Sequence, residues 1–182
     1  MRRVINVRIF TRTDEGRGGE FVTTNEVIDL LNHARVLELV AITQYMNHYY
    51  RVKGSTYEEA QEIFKSAAMM EMKHAEVLAE RINLLGGDPL SDLNKVMQHY
   101  GKALSFPDDV NEMMKVDLSL EHTAINEYTS AIAKVANTDP VTRRLFEEIL
   151  EVEEGHADSF ASYLGEKAAF ELQEFKKYQA AA

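Results

Sequence analysis

Four glutamates and two histidines recur along this chain at spacings that suit metal ligation. Glu71 and His74 stand three residues apart, and so do Glu153 and His156. On a helix such a pair shares one face, so both side chains can reach one centre. Each pair is preceded by a glutamate in an apolar run: Glu38 within Leu37-Glu38-Leu39-Val40-Ala41-Ile42, and Glu121 after Asp117-Leu118-Ser119-Leu120. Glu38 lies 33 residues before Glu71, and Glu121 lies 32 before Glu153. The chain therefore offers the same donor set twice, and Glu38, Glu71, His74, Glu121, Glu153 and His156 are the expected metal ligands. Four carboxylates in a core carry a charge that burial opposes unless cations accompany it. Two divalent ions would neutralise it. Oxygen-rich ligands with two imidazoles suit iron or manganese better than a closed structural zinc site. One glutamate from each of two helices, with Glu-x-x-His from each of the other two, is the ligand pattern of di-iron and di-manganese carboxylate bundles.

Neighbouring acids are separated from this set by helical geometry. Glu154 sits about 100° around the helix from Glu153 and is expected to face solvent. Glu151 also competes, but Glu153 alone has the three-residue spacing to His156. Glu127 is about 240° around from Glu121 and cannot share its face. Tyr45 falls two turns after Glu38 on the same stripe. It is read either as a participant in the chemistry, donating a hydrogen bond to a ligating carboxylate or supplying an electron, or as a packed core tyrosine. Tyr128 stands in the same relation to Glu121. His33, His48, His99 and His122 lack matching partners and are expected to be structural or at the surface.

Long helices must position these groups. The first is expected from Thr23, whose spacing to Glu26 is that of a capping box, to about Val52, with Gly54 beyond it. Its stripe is Val27, Leu30, Leu31, Ala34, Leu37, Ala41, Tyr45 and His48. A second capping box, Ser55 and Glu58, opens a helix to about Leu85. The stripe there is Ile63, Ala67, Met70, His74, Val77, Leu78 and Ile82, and Gly86 and Gly87 stop it. About twenty residues, from Gly86 to Phe106, follow before the next helix. That exceeds the usual connection of about 2–8 residues and can run the length of a bundle. Pro107 is expected to open the third helix, with Asp108 and Asp109 in its first turn, and Ala136 to close it. Asp139 caps and Pro140 opens the fourth, which runs to Gly165. The pattern from Glu166 to about Tyr178 allows a short fifth helix. The expected fold is all-α, a ferritin-like four-helix bundle with one long crossover between helices two and three.

The chain has 182 residues, a length that fits a single domain able to bury its own core. With no cysteine, disulfides, thiolate-bound zinc, iron–sulfur clusters and thiol catalysis are excluded. The net charge is −10. Five arginines against three acids leave the first 20 residues at +2, so the remaining 162 carry −12. Residues 1–22 are read as a flexible arm, with Gly16, Gly18 and Gly19 as a linker, and residues 23–182 as the bundle domain. The acidic bundle makes DNA an unexpected partner. No run is long and apolar enough for a membrane span, and the N-terminus lacks a signal-like apolar stretch, so a cytoplasmic protein is expected.

The quoted segments resemble the bacterioferritin branch of the ferritin superfamily. Glu38 to Tyr45 resembles its first-helix motif, Glu71-Met72-Lys73-His74-Ala75-Glu76 its second, Asp117 to Glu121 its third, and Glu153-Glu154-Gly155-His156 its fourth. The likeness covers about residues 24–165. It implies a ferroxidase with two iron ions per subunit, or manganese, in which Fe(II) is oxidised by O2 or H2O2 and stored in a hollow homo-oligomeric shell. Met72 aligns with the methionine that binds haem b between two subunits. The arm is extra, and Met70 stands where the family often has an acid. The stretch from Glu121 to Tyr128 also resembles Dps-like proteins, so shells of 24 or 12 subunits both remain in view. The alternative on the same scaffold is a peroxide-consuming enzyme, a manganese catalase or a rubrerythrin-like peroxidase.

Overall fold

The computed structural model describes residues 22–54, 57–92, 94 and 104–168. The arm, apart from Val22, and the candidate fifth helix beyond residue 168 lie outside the described residues, as do Ser55 and His99. Four helices run in chain order: α1 (Thr24–Arg51), α2 (Glu58–Leu84), α3 (Val110–Val135) and α4 (Pro140–Tyr163). α1 pairs with α2 and α3 with α4, and the two hairpins meet along α1–α3 and α2–α4. Among the described residues there is no strand, and no helix is long and apolar enough to cross a membrane. The expected four-helix bundle is the observed one.

The helix ends follow from particular residues. Thr23 accepts from the Glu26 amide while the Glu26 carboxylate accepts from the Thr23 amide, so the expected capping box opens α1. α2 ends with Gly86 at φ +83°, where its amide donates to Asn83 and that of Gly87 donates to Ile82. That paired arrangement satisfies the last carbonyls and needs the left-handed conformation glycine adopts without strain. Gly87 has a second reason to be glycine: a Cβ there would lie 2.8 Å from Ile28 Cγ2. Asp139 caps α4 through the amides of Val141 and Thr142, with Pro140 in the first turn as expected.

Two local expectations are corrected, at Pro107 and Val77. α2 starts at Glu58 behind Tyr57, which supplies no side-chain cap, and the Ser55 half of the expected box lies outside the described residues. Pro107 does not open α3, because Asp109 caps it instead, accepting from the Glu112 amide, and the helix starts at Val110. Val77 is exposed and falls off the buried stripe of α2, whose inner face is carried by Ala60, Phe64, Ala67, Ala68, Glu71, His74, Ala75, Leu78 and Ile82.

The described ends of the crossover lie against α1. The Asn32 amide nitrogen donates to the Asp88 carbonyl, and the Leu90 amide donates back to Asn32 Oδ1. Arg35 donates to the Leu90 carbonyl. Further along α1, Gln44 grips Ser105, its Oε1 accepting from the Ser105 amide and its Nε2 donating to the Ser105 carbonyl. His48 Nε2 lies 2.8 Å from the Gln44 side-chain nitrogen and 3.1 Å from the Ser105 carbonyl, and its Nδ1 lies 2.9 Å from Asp117. His48 is thus fully buried and partnered, a structural histidine whose partners come from α1, α3 and the crossover. Burial raises the Asp117 carboxyl to about 6, against the lowering influence of His48.

Two apolar clusters fill the bundle on either side of its middle. One gathers Leu31, Leu78, Ile82, Val135 and Phe146, the other Phe64, Ala68, Met113, Met114 and Phe160. Between them lies the polar layer described below.

Asp139 ties the hairpins together, since it also receives two bonds from Arg81 of α2 at 2.7 and 2.9 Å. Burial would raise its carboxyl, but hydrogen bonds from Thr142 and Arg81 hold it below the ordinary value. Asp139→Ala should destabilise the fold by about 1–2 kcal/mol, read from urea denaturation at neutral pH. Because the folded carboxyl is depressed, this stabilisation is complete above the unfolded value near 4 and is lost as pH falls through the lower folded value. The gap between parent and variant should accordingly narrow below about pH 4; a gap that widens in acid would count against the cap.

Candidate metal centre

Each helix contributes to the polar layer from its middle. Glu38 comes from α1, Glu71 and His74 from α2, Glu121 from α3, and Glu153 and His156 from α4. All four glutamates and His74 are buried. Their donor atoms form two groups, Glu38–Glu71–His74–Glu153 and Glu71–Glu121–Glu153–His156, each with all its atoms within 4.8 Å of one another. Glu71 and Glu153 belong to both.

The distances give each residue a place. Glu71 spans the centre, with Oε2 2.8 Å from His74 Nδ1 and Oε1 2.8 Å from His156 Nδ1. Glu153 spans it from the opposite side, at 3.0 Å from His74 and 3.5 Å from His156. Glu38 approaches only His74, and Glu121 only His156, both at 3.7 Å. If two cations were held here, Glu71 and Glu153 would be shared between them, and Glu38 with His74 and Glu121 with His156 would complete the two ends. Glu71 Oε1, Glu153 Oε1 and His156 Nδ1 are buried and make no aligned hydrogen bond, despite these short separations. His74 Nδ1 does hydrogen-bond Glu71 Oε2 at 2.8 Å, but the other three atoms converge without an aligned bond, which fits a cation between them. The residues therefore fit a pair of divalent ions, and the mixed oxygen and nitrogen set fits iron or manganese.

The two tyrosines cross between halves. Tyr45 on α1 donates to Glu121 Oε1 on α3 at 2.6 Å. Tyr128 on α3 donates to Glu38 on α1. Both are fully buried, and burial beside these carboxylates holds both phenols well above the ordinary tyrosine value. The sequence allowed either a participant in the chemistry or a packed core residue at Tyr45, and the structure gives a packed tyrosine bonded to a candidate ligand.

Electrostatics show what the charge cluster demands. Two carboxylates about 5 Å apart repel by about 3 kcal/mol at an effective dielectric of about 20. Several such pairs together rival the net stability of a domain, about 5–15 kcal/mol. Without metal, protons must take the place of cations. Burial, then repulsion from Glu153, pushes Glu38 well above the usual carboxylate range, and Glu121 rises for the same two reasons. Burial opposes charge on the imidazoles, yet the carboxylates around them win, raising His74 to about 12 and His156 to about 9. Glu153, which burial alone would raise, is held at about 2 chiefly by the two imidazoles.

The competing residues fall where helical geometry put them, except for Glu154. Glu127 is exposed and lies 3.3 Å from His33. Glu151 is exposed, whereas Glu154, expected to face solvent, is half-buried. Met72 points away from the centre and is half exposed, as is Met69.

A family model described as a ferritin-like domain matches residues 28–169. The chain belongs to the ferritin family. Within it, the chain is similar to a bacterioferritin from Desulfovibrio desulfuricans, 41% identical over 133 residues, 72% of this chain and 70% of that one. The solved structure of a D. desulfuricans bacterioferritin, described with its diiron site in different catalytic states, superposes with a TM-score of 0.69 at 31% identity, covering 87% of this chain and 88% of that one. A dodecameric thioferritin, the bacterioferritin-related protein of Bacteroides fragilis, superposes with a TM-score of 0.73 at 25% identity, covering 88% and 92%. The bacterioferritin-like resemblance read from the motifs is thus matched by relatives in sequence and in structure.

What the motifs did not reveal in this ferritin is the environment of the ligands. Asp117 and His48 are buried one turn from Glu121 and Tyr45, and only the apolar neighbours of Asp117 hinted at it. Removing the phenol hydroxyl in Tyr45→Phe leaves a buried carboxylate oxygen short of its donor. It should cost about 1–3 kcal/mol in the metal-free protein, as should Tyr128→Phe, by chemical denaturation. Tyr50→Phe, at an exposed tyrosine, should cost nothing measurable.

Proposed function

We propose that the chain is a ferroxidase of the iron-storing kind, with Glu38, Glu71, His74, Glu121, Glu153 and His156 as ligands to two iron ions. The single observation that carries this reading is the paired donor set, in which Glu71 and Glu153 each face both histidines. Iron bound there would supply the electrons for reduction of O2 or H2O2. The chain's own residues do the rest. Glu71 and Glu153 would hold the two cations between the histidines, and Glu38 and Glu121 would balance their charge. Tyr45 and Tyr128 fix the orientation of Glu121 and Glu38 by donating to them. The apolar clusters above and below exclude bulk water. Oxidised iron is then stored in a shell built of copies of this chain, in the cytoplasm. Both 12 and 24 copies are compatible with this reading.

The outward thioether of Met72 supports haem b as a second group, held between two copies. Purified protein should then show haem absorption in the visible range that Met72→Ala abolishes, with iron oxidation retained.

Aerobic addition of Fe(II) to the metal-free protein should consume about two irons per chain in a fast phase, two metals per centre being the stoichiometry of such sites. Glu38→Ala should abolish that phase. A variant that oxidises iron as fast as the parent would overturn the assignment. Steady oxygen evolution from peroxide, without iron uptake, would favour a catalase on this scaffold instead.

A further inference from the structure

Two pockets reach the centre, from opposite faces of the bundle. One lies between α2 and α4 and touches His156, the more exposed imidazole at 14% against 7% for His74. Its lining includes Glu62, Ser66 and Ser159, so it is polar. The other lies between α1 and α3, has a volume of about 70 Å³ and is walled by Leu37, Val40, Ala41, Leu120 and Ala124. Leu37 and Val40 are buried, and Ala41, Leu120 and Ala124 are half-buried. Thr123 is the exposed member of the lining, and its hydroxyl donates to the Ser119 carbonyl at 2.9 Å. Tyr45 lines the pocket too, with its own hydroxyl engaged by Glu121.

The α1–α3 pocket ends on both halves of the centre. It touches Glu38, which groups with His74, Glu121, which groups with His156, and Glu153, which belongs to both groups. A molecule of two heavy atoms fits the space and would lie against both groups at once. The walls decide which molecule that is. Apart from Thr123 and Tyr45, they carry no polar side-chain atom before the carboxylates are reached. A polar solute gives up its hydrogen bonds to water there without replacement, at a cost in free energy. An apolar solute is favoured by leaving water for such walls. Dioxygen is apolar, and hydrogen peroxide is not.

We propose that the α1–α3 pocket admits dioxygen and holds it beside the centre while disfavouring peroxide, so that the pocket selects the oxidant. The proposal rests on the ferroxidase reading and decides between the two oxidants that reading allows. Ala41 and Ala124 set the width of the pocket, because each lines it with a single methyl group. Larger side chains at these positions close it without altering a candidate ligand, and they leave the polar α2–α4 opening as it is.

Xenon is an apolar probe that enters dry apolar cavities. In crystals of the metal-free protein held under xenon pressure, xenon should appear between Leu37, Val40, Leu120 and Ala124, and it should be missing from Ala124→Leu. In solution, Ala124→Leu should slow Fe(II) oxidation by O2 by about tenfold, or about 1.4 kcal/mol of barrier, and raise the O2 concentration at half-maximal rate. Oxidation by H2O2 under argon should keep its parental rate, and about two Co(II) per chain should still bind. Ala41→Val should shift the O2 dependence in the same direction by a smaller factor. An empty pocket in the xenon-treated parent would overturn the proposal. So would a parental O2 rate in a variant that excludes xenon, or equal slowing with O2 and with H2O2. If Ala124→Leu binds no Co(II), Ala41→Val decides, and an unchanged O2 dependence there refutes the selection. A parent that takes up xenon but oxidises no Fe(II) with either oxidant overturns the ferroxidase reading, and the role of the pocket with it.

Discussion

Like-charge repulsion among Glu38, Glu71, Glu121 and Glu153 is the constraint on which the rest of the structure depends. Nothing in a helix bundle favours four carboxylates in one layer, and their mutual repulsion rivals the net stability of the whole domain. The layer is tolerable only because each negative charge has a proton, an imidazole or a cation to face. This explains why the surroundings are built as they are. Apolar clusters lie on either side of the layer, so its residues cannot relax into water. Two phenols supply neutral donors that orient carboxylates without adding charge. The centre's geometry is held by the fold, and its charge is left for a ligand to complete.

The centre has an approximate two-fold relation that the chain does not express as exact repetition. Tyr45 of α1 reaches Glu121 of α3, and Tyr128 of α3 reaches Glu38 of α1. Each hairpin therefore orients the terminal carboxylate of the other. Neither hairpin holds a complete set, because the bridging glutamates come from α2 and α4, one from each. Chemistry at this layer requires the hairpins to be docked, and Arg81–Asp139 and His48–Asp117 both cross that docking surface. Stability and site assembly are in this sense one event.

Much of this was legible in the sequence because burial leaves a strong mark on composition. A glutamate among five apolar neighbours, as at Glu38, has few explanations, and a histidine three residues past a glutamate, twice, has fewer. Helix periodicity then gave four helices and the length of the connection gave the crossover. What escaped were features set by tertiary contact. Val77 has the spacing of the α2 stripe, yet it is exposed. Pro107 suits the first turn of a helix, but Asp109 could cap and so displaced the start to Val110. His48 had no acidic partner in sequence because Asp117 is 69 residues away. The unequal exposure of the two imidazoles was invisible, since both sit in the same local motif.

The crossover has a property that matters for how such a chain can change over generations. Its contacts with Asn32, Arg35 and Gln44 are made by main-chain atoms of Asp88, Leu90 and Ser105. The recognising side chains all belong to α1. Substitutions at Asp88 and Ser105 can therefore accumulate without loosening these bonds, provided the residue still offers its peptide groups, whereas Leu90 also packs its side chain against Val36 and Val40. Innovation on the outside of the molecule is in this way uncoupled from the arrangement of the interior, and a lineage can explore new outer surfaces while its buried chemistry stays fixed.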